Sequence, residues 1–365
     1  MRRIFIVVGL AVVILVGCVQ KADESPAIIG KTETKTKDVE KVDIARKVYE
    51  ADQSTFHFVG DWLSDSKIVF VEKDLGLYLV KTFDVETGEV ELLYEDPFII
   101  TDVLIHPSKE YILLHTSDNP NSAVIKVLSI DGVIHNEISI ESSELAIEWN
   151  NLDPSLILFT AFDSDWTFDT FLYNGKDELF TLVEIDGPFP KWYGTKKIIT
   201  GYFDEHELDS GTLVVYNTET GSSELTDIAN VVYFDTYEES ILVVRIDDEN
   251  NAIYTIMDLD GLIASEWKMP AVSNYSEWVF QKVTWDGPNR IFLPAPEESG
   301  ELDDLTSPYH LTSIVDGQQE VLVKDITPSV LRCSPDGEKC LTGYASEKLI
   351  DLKTKEEIDW IQFRE

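Results

Sequence analysis

A short polar turn between two apolar runs recurs along most of this 365-residue chain, and it constrains the fold more than any other feature. The runs after the turns are Lys67-Ile-Val-Phe-Val71, Tyr111-Ile-Leu-Leu-His115, Leu156-Ile-Leu-Phe-Thr160, Lys197-Ile-Ile-Thr-Gly201, Ile241-Leu-Val-Val-Arg245, Arg290-Ile-Phe-Leu293 and Lys339-Cys-Leu-Thr-Gly343. Their β-branched and aromatic content reads as strands. One turn residue from each unit gives Ser66, Lys109, Pro154, Thr195, Glu238, Pro288 and Asp336, at spacings of 43, 45, 41, 43, 50 and 48. Later in each unit a second tight turn follows: Glu86-Thr87-Gly88, Asp131-Gly132, Asn174-Gly175, Glu219-Thr220-Gly221, Asp260-Gly261 and Asp316-Gly317. Such pairs supply the positive φ that two-residue hairpins require. Four strands per unit of roughly 40–50 residues is the signature of a β-propeller. A β-helix needs a far shorter period, and stacked sandwiches would not give seven similar units.

The expected fold is therefore all-β, one propeller over 53–365, with units near 55–95, 98–141, 144–184, 187–228, 229–270, 278–323 and 326–361. Seven blades are counted. The last unit is short, and the first and last could combine across the closure, leaving six. Trp62, Trp149, Trp192 and Trp285 fall near the ends of first strands and read as packing between blades.

The N-terminus sets the compartment. Arg2 and Arg3 precede an apolar stretch of 13 residues, Ile4 to Val16, too short for a spanning helix but ordinary for a signal peptide. Leu15-Val16-Gly17-Cys18 then matches, position for position, the lipobox of bacterial lipoproteins. That resemblance implies a signal peptide over 1–17 and lipidation of Cys18. It places the mature protein on the extracytoplasmic face of the membrane, held by acyl chains. Residues 18–52 read as a polar, flexible tether, with a short helix near Val42–Tyr49.

Outside the cytoplasm, the other two cysteines read as a disulfide. Cys333 and Cys340 flank Ser-Pro-Asp-Gly-Glu-Lys, so a symmetric hairpin sets them directly opposite each other. The same segment, Cys333 to Lys339, resembles the Ser-Pro-Asp-Gly turn of TolB-like and WD40-like propeller repeats. Lipobox, polar tether and single divergent propeller together resemble the YqgU-like lipoproteins of Bacillus-type bacteria. That family is described as carrying six blades, against the seven counted. The resemblance implies lipidation at Cys18 and brings no activity with it.

Catalytic motifs are missing. The sequence contains no Gly-x-Ser-x-Gly elbow and no phosphate-binding glycine loop. The six histidines, at 57, 106, 115, 135, 206 and 310, are scattered without metal-ligand spacing. The chain reads as a non-enzyme without a resident cofactor.

Charge narrows the partners. Against 68 acidic side chains stand 29 basic ones, a net charge of -39, which excludes general nucleic-acid binding. Loss of Arg2 and Arg3 with the signal makes it -41. In a propeller, second-to-third-strand loops and blade connections open on one face. The acidic residues gather there: Asp163, Asp165 and Asp169; Asp204, Glu205, Glu207 and Asp209; Asp247 to Glu249; Glu297 to Asp304. Blade connections add Glu95, Asp96, Glu184, Asp186, Glu277 and Asp325. This face can serve a basic extracytoplasmic protein or peptide by electrostatic steering. It can hold Ca²⁺ at Asp163, Asp165 and Asp169 or at Asp204, Glu205, Glu207 and Asp209. It can also be a solvated surface that keeps the protein soluble. The expected function is a non-catalytic protein- or ligand-binding module; the alternative is a hydrolase or lyase acting on cell-wall glycans or peptides.

Overall fold

A computed structural model describes residues 47–364 except 205, 206 and 276, with no side-chain description over 204–209. Cys18, the signal segment and residues 42–46 of the expected helix lie outside the described residues. The described residues contain strands, turns and bends and no helix, so none is long and apolar enough to cross a membrane.

Seven four-stranded antiparallel sheets follow one another, each meandering in chain order. Their first strands are Phe56–Trp62, Ile99–Ile105, Glu144–Trp149, Lys191–Tyr193, Tyr233–Tyr237, Thr284–Trp285 and Arg332–Cys333. All seven turn residues named from the sequence fall between the first and second strands of their sheets. The first and last units stay separate, so the combination into six blades is not what the described residues form.

Burial explains the sequence pattern. Second strands such as Leu156–Phe162 and Ser240–Ile246 are buried over most of their length, because blades cover both of their faces. Fourth strands such as Leu179–Val183 stand at the outer edge and are largely exposed. The apolar clusters lie between consecutive blades. Val69, Val71 and Val80 of the first pack with Ile100, Leu114 and Leu128 of the second. The hairpin glycines Gly88, Gly132, Gly221, Gly261 and Gly317 take positive φ as expected, but Gly175 does not; there Glu178 takes it instead. At Gly132 the reason is double, since a Cβ would also lie 2.1 Å from the Leu93 carbonyl oxygen.

Two features tie blade to blade. Trp62, Trp192 and Trp285 each donate an indole N–H to the first strand of the preceding blade, at Arg332 O, Glu148 O and Asp235 Oδ2. Trp149 instead closes its own turn on Pro154 O. On the side of the first-to-second-strand turns, one hydrogen-bonded relay runs through positions 44 residues apart. His106 Nε2 meets Asn150 O at 2.8 Å, Asn150 Nδ2 donates to Gly194 O at 2.8 Å, and Gly194 N donates to Glu238 O at 2.8 Å.

The tether boundary differs from the expected one. Tyr49–Asp52, read as the tether's end, forms a strand paired in parallel with Ile361–Arg364 at the other end of the chain. Tyr49 is therefore not helical. Its ring is what moves the boundary, packing against Phe70 and Phe83 at centroid distances of 4.8 and 5.6 Å.

Candidate functional site

The first strands carry a ring of equivalent positions. In six blades these residues pair with the third residue of the second strand: Leu104, Glu148, Lys191, Asp235, Thr284 and Arg332. Asp61, within a register shift beside Trp62, completes the level in the first blade. Five of the seven carry charge. Lys191 sits between two carboxylates, 2.9 Å from Glu148 and 3.5 Å from Asp235. Arg332 donates to Ser346 Oγ at 2.9 Å, and nearby Lys109 donates to Trp62 O at 2.9 Å.

Enclosure governs the protonation of this ring. Glu148 and Lys191 keep about a quarter of their side-chain surface open (27% and 28%), yet protein surrounds them on most sides. Burial pushes the Glu148 carboxyl above the usual carboxylate range, against the pull of Lys191. Burial also works against the Lys191 ammonium, but Glu148 and Asp235 outweigh it and hold that pKa above the ordinary lysine value. Asp61 is likewise raised by burial, opposed by Lys109, Arg332 and Lys282. The Tyr233 hydroxyl is raised by burial and by Asp235.

Next to this ring, between the fourth and fifth blades, lies a cavity of about 660 Å³. That volume is in the range that encloses a small organic ligand. Lys191, Asp235 and Lys282 line its axial side. Phe189, Tyr202, Phe203, Tyr233, Phe234 and Phe280 supply aromatic walls. Phe189 and Phe203 remain 65% and 50% exposed despite their size. Glycine shapes one wall: a Cβ on Gly187 would fall 1.9 Å from Thr200 Oγ1, so a side chain there would force the wall apart.

The cavity is bounded by blade connections (186–189, 231–232 and 280–282) and by the second-to-third-strand region of the fourth blade. It therefore opens on the face where the sequence gathers its acidic residues. Asp163, Asp165, Asp169, Asp186, Asp248, Glu249, Glu297, Glu298, Glu301, Asp303 and Asp304 are exposed there. Asp96 departs from that expectation. It is fully buried and pairs with Lys126 at 2.5 Å, because the Lys126 ammonium is wedged between the Tyr94 and Phe98 rings.

The two calcium loops read from the sequence fare differently. Asp163, Asp165 and Asp169 do not converge. Asp165 turns its carboxylate onto the Thr167 amide and hydroxyl, and Asp169 sits in a strand opposite Ala161. Among the described residues no three His, Cys, Asp or Glu side chains form a metal donor set. The side chains of Asp204, Glu205, Glu207 and Asp209 lie outside what is described. Cys333 and Cys340 stand directly opposed in register and are bonded, with Cα atoms 3.9 Å apart.

Sequence reasoning missed the ionic ring and the cavity. A signal for the ring exists. Asp61, Leu104, Glu148, Lys191 and Asp235 recur at 43, 44, 43 and 44 residues, so charge at one phase of the repeat marks it. The cavity has no such signature, because its walls come from connections that vary between units.

Comparison with known proteins places this geometry. A family model described as a YqgU-like 6-bladed beta propeller domain matches residues 84–343. That span contains the second to sixth sheets whole and only part of the first and last. An uncharacterized lipoprotein, YqgU, of Bacillus subtilis (strain 168) is 25% identical over 296 residues, 81% of either chain. The crystal structure of an uncharacterized protein from Listeria monocytogenes EGD-e covers 87% of this chain and 98% of its own, at 17% identity and a TM-score of 0.80. An oligogalacturonate lyase in complex with manganese shares the fold at 12% identity and a TM-score of 0.52, covering 81% of this chain and 85% of its own.

Proposed function

This chain belongs to the YqgU-like 6-bladed beta propeller family, and we propose that it is a lipid-anchored, non-catalytic ligand-binding module whose ligand occupies the cavity between the fourth and fifth blades. The observation that carries the reading is the cavity itself: about 660 Å³, aromatic-walled, beside an ionic ring. A soluble domain rarely leaves aromatics such as Phe189 and Phe203 half open around one hollow without a use for them. The surrounding acidic face adds steering for a protein partner with a basic part. Membrane attachment through Cys18 rests on the lipobox and on the relative named a lipoprotein.

Thermal unfolding of the chain from residue 19 onward, screened against small-molecule and peptide libraries, tests the module. A true ligand raises Tm, since it binds only the folded state. Phe189→Ala removes most of that gain while leaving the unliganded Tm within about 1 °C, because the side chain is largely exposed. A screen in which no compound class shifts Tm sinks the reading. For the anchor, Cys18→Ala leaves an unlipidated precursor. Membrane retention equal to wild type would mean that an uncleaved helix holds the chain.

One observation favours a second reading. Glu148 and Asp235 flank Lys191 beside the cavity, an arrangement able to trade protons with a bound glycan or peptide. Release of soluble fragments from purified cell wall, abolished by Glu148→Gln, would replace binding with hydrolysis or lysis.

A further inference from the structure

The cavity's charged groups differ in how well they are already satisfied. Lys191 is held by Glu148 and Asp235. Asp235 also accepts the Trp285 indole N–H at 3.1 Å. Lys282 stands apart. Like Asp186 in the connection before the fourth blade, it lines the cavity, it is exposed, and among the described residues it makes no ion pair or hydrogen bond. Its position is axial rather than peripheral: it stands two residues before Thr284 of the ring, and its charge acts on Asp61 and Glu148 of the first and third blades. Asp186 offers a carboxylate in the blade connection, whereas a polar group that reaches the axial side gains at Lys282, and the group that gains there is an anion.

The rest of the lining fixes the body of such a ligand. Phe189, Phe203 and Phe280, with Val231 and Val232, offer apolar surface and few hydrogen bonds. A sugar or polyol would be left with unmet hydroxyls there, whereas an aromatic or branched hydrocarbon would not. The acidic surface outside does not forbid an anion inside. Its repulsion is screened over about 8 Å at physiological salt, while contact with the ammonium acts at bonding distance.

Resting on the cavity as the ligand site, we infer that the ligand is a small amphipathic organic anion, its apolar body among the aromatic walls and its acidic group on Lys282. Two dyes separate this inference from the reading beneath it. N-phenyl-1-naphthylamine is uncharged, and 8-anilinonaphthalene-1-sulfonate adds a sulfonate to the same framework. Titrated into the chain from residue 19 onward, both brighten, and Phe189→Ala weakens both. Lys282→Gln weakens the sulfonate roughly tenfold and leaves the neutral dye unchanged; Lys282→Arg restores the sulfonate. If the two dyes keep the same affinity ratio in Lys282→Gln, the anion inference is wrong and the cavity reading stands. If the neutral dye fails to bind, or binds without regard to Phe189, the cavity reading falls and takes the inference with it.

Discussion

Lys191 shows how a single residue organises the centre. Its ammonium, on the fourth blade, neutralises Glu148 of the third and Asp235 of the fifth, which would otherwise repel each other. Lys191→Met leaves two poorly solvated carboxylates facing each other. Loss of a partner in a well-buried pair costs about 3–5 kcal/mol, and with roughly a quarter of these side chains open we expect about 2 kcal/mol. Adding Asp235→Asn to Lys191→Met should recover part of that loss in urea unfolding; a neutral Lys191→Met would refute the role. The sign with pH follows from the raised Lys191 pKa. Its contribution is whole below the ordinary lysine value of about 10.4 and fades only as pH climbs through the still higher folded value. Single residues were also where the sequence was least informative. The carboxylate of Asp96 looks identical in sequence to its exposed neighbours, and only the rings of Tyr94 and Phe98 around Lys126 make it interior. Asp163, Asp165 and Asp169 have the residue types of a calcium loop, yet local hydrogen bonds from Thr167 settle where Asp165 points.

Strands and turns were largely legible, because each one is specified locally. Apolar runs with β-branched residues end at turns whose chemistry is plain, and the second strands betray burial on both faces by their continuous hydrophobicity. What stayed hidden was how one turn grips the next. In the relay from His106 to Glu238, the Ser108 amide donates to His106 Nδ1 at 3.1 Å, so Nε2 carries the hydrogen given to Asn150 O. Burial lowers the His106 pKa below its ordinary value of 6.5. The unfolded chain therefore takes up a proton first on acidification. Stability is full above about pH 6.5 and declines as pH falls toward the folded value, by at most about 1.4 kcal/mol per pH unit for one group. His115, also lowered by burial, adds to the same slope. In His106→Gln, whose amide can still donate to Asn150 O, Tm measured from about pH 7 to about pH 5 should fall less steeply than in wild type. An unchanged slope would show that His106 does not carry the effect.

For the molecule as a whole, the repeat period makes seven sheets readable, but it says nothing of how the ring is fastened. Adjacent sheets can be inferred from a repeat; the seam between its two ends has no repeat to point at it. The seam here is built from residues far apart in sequence. Trp62 and Phe70 of the first blade share one apolar cluster with Leu341, Leu349 and Trp360 of the last. Across that cluster the strand Tyr49–Asp52 pairs with Ile361–Arg364, and the Tyr49 amide donates to Trp360 O at 2.8 Å. The Tyr49 hydroxyl donates to Glu72 Oε1 at 2.7 Å, and Lys81 holds the other oxygen of Glu72, also at 2.7 Å. Ala51 of this strand is fully buried. Four residues that resemble the end of a polar tether thus form part of the closure. A chain beginning at Lys47 should melt with the chain beginning at residue 19, whereas one beginning at Gln53 should lose about 3 kcal/mol, a drop in Tm of roughly 5–10 °C. Tyr49→Phe in the longer chain should cost about 1 kcal/mol, the worth of the Glu72 hydrogen bond alone. If the chains beginning at 47 and 53 melt together, the terminal strand is ornamental and the seam holds through Trp62, Phe70 and Trp360 without it.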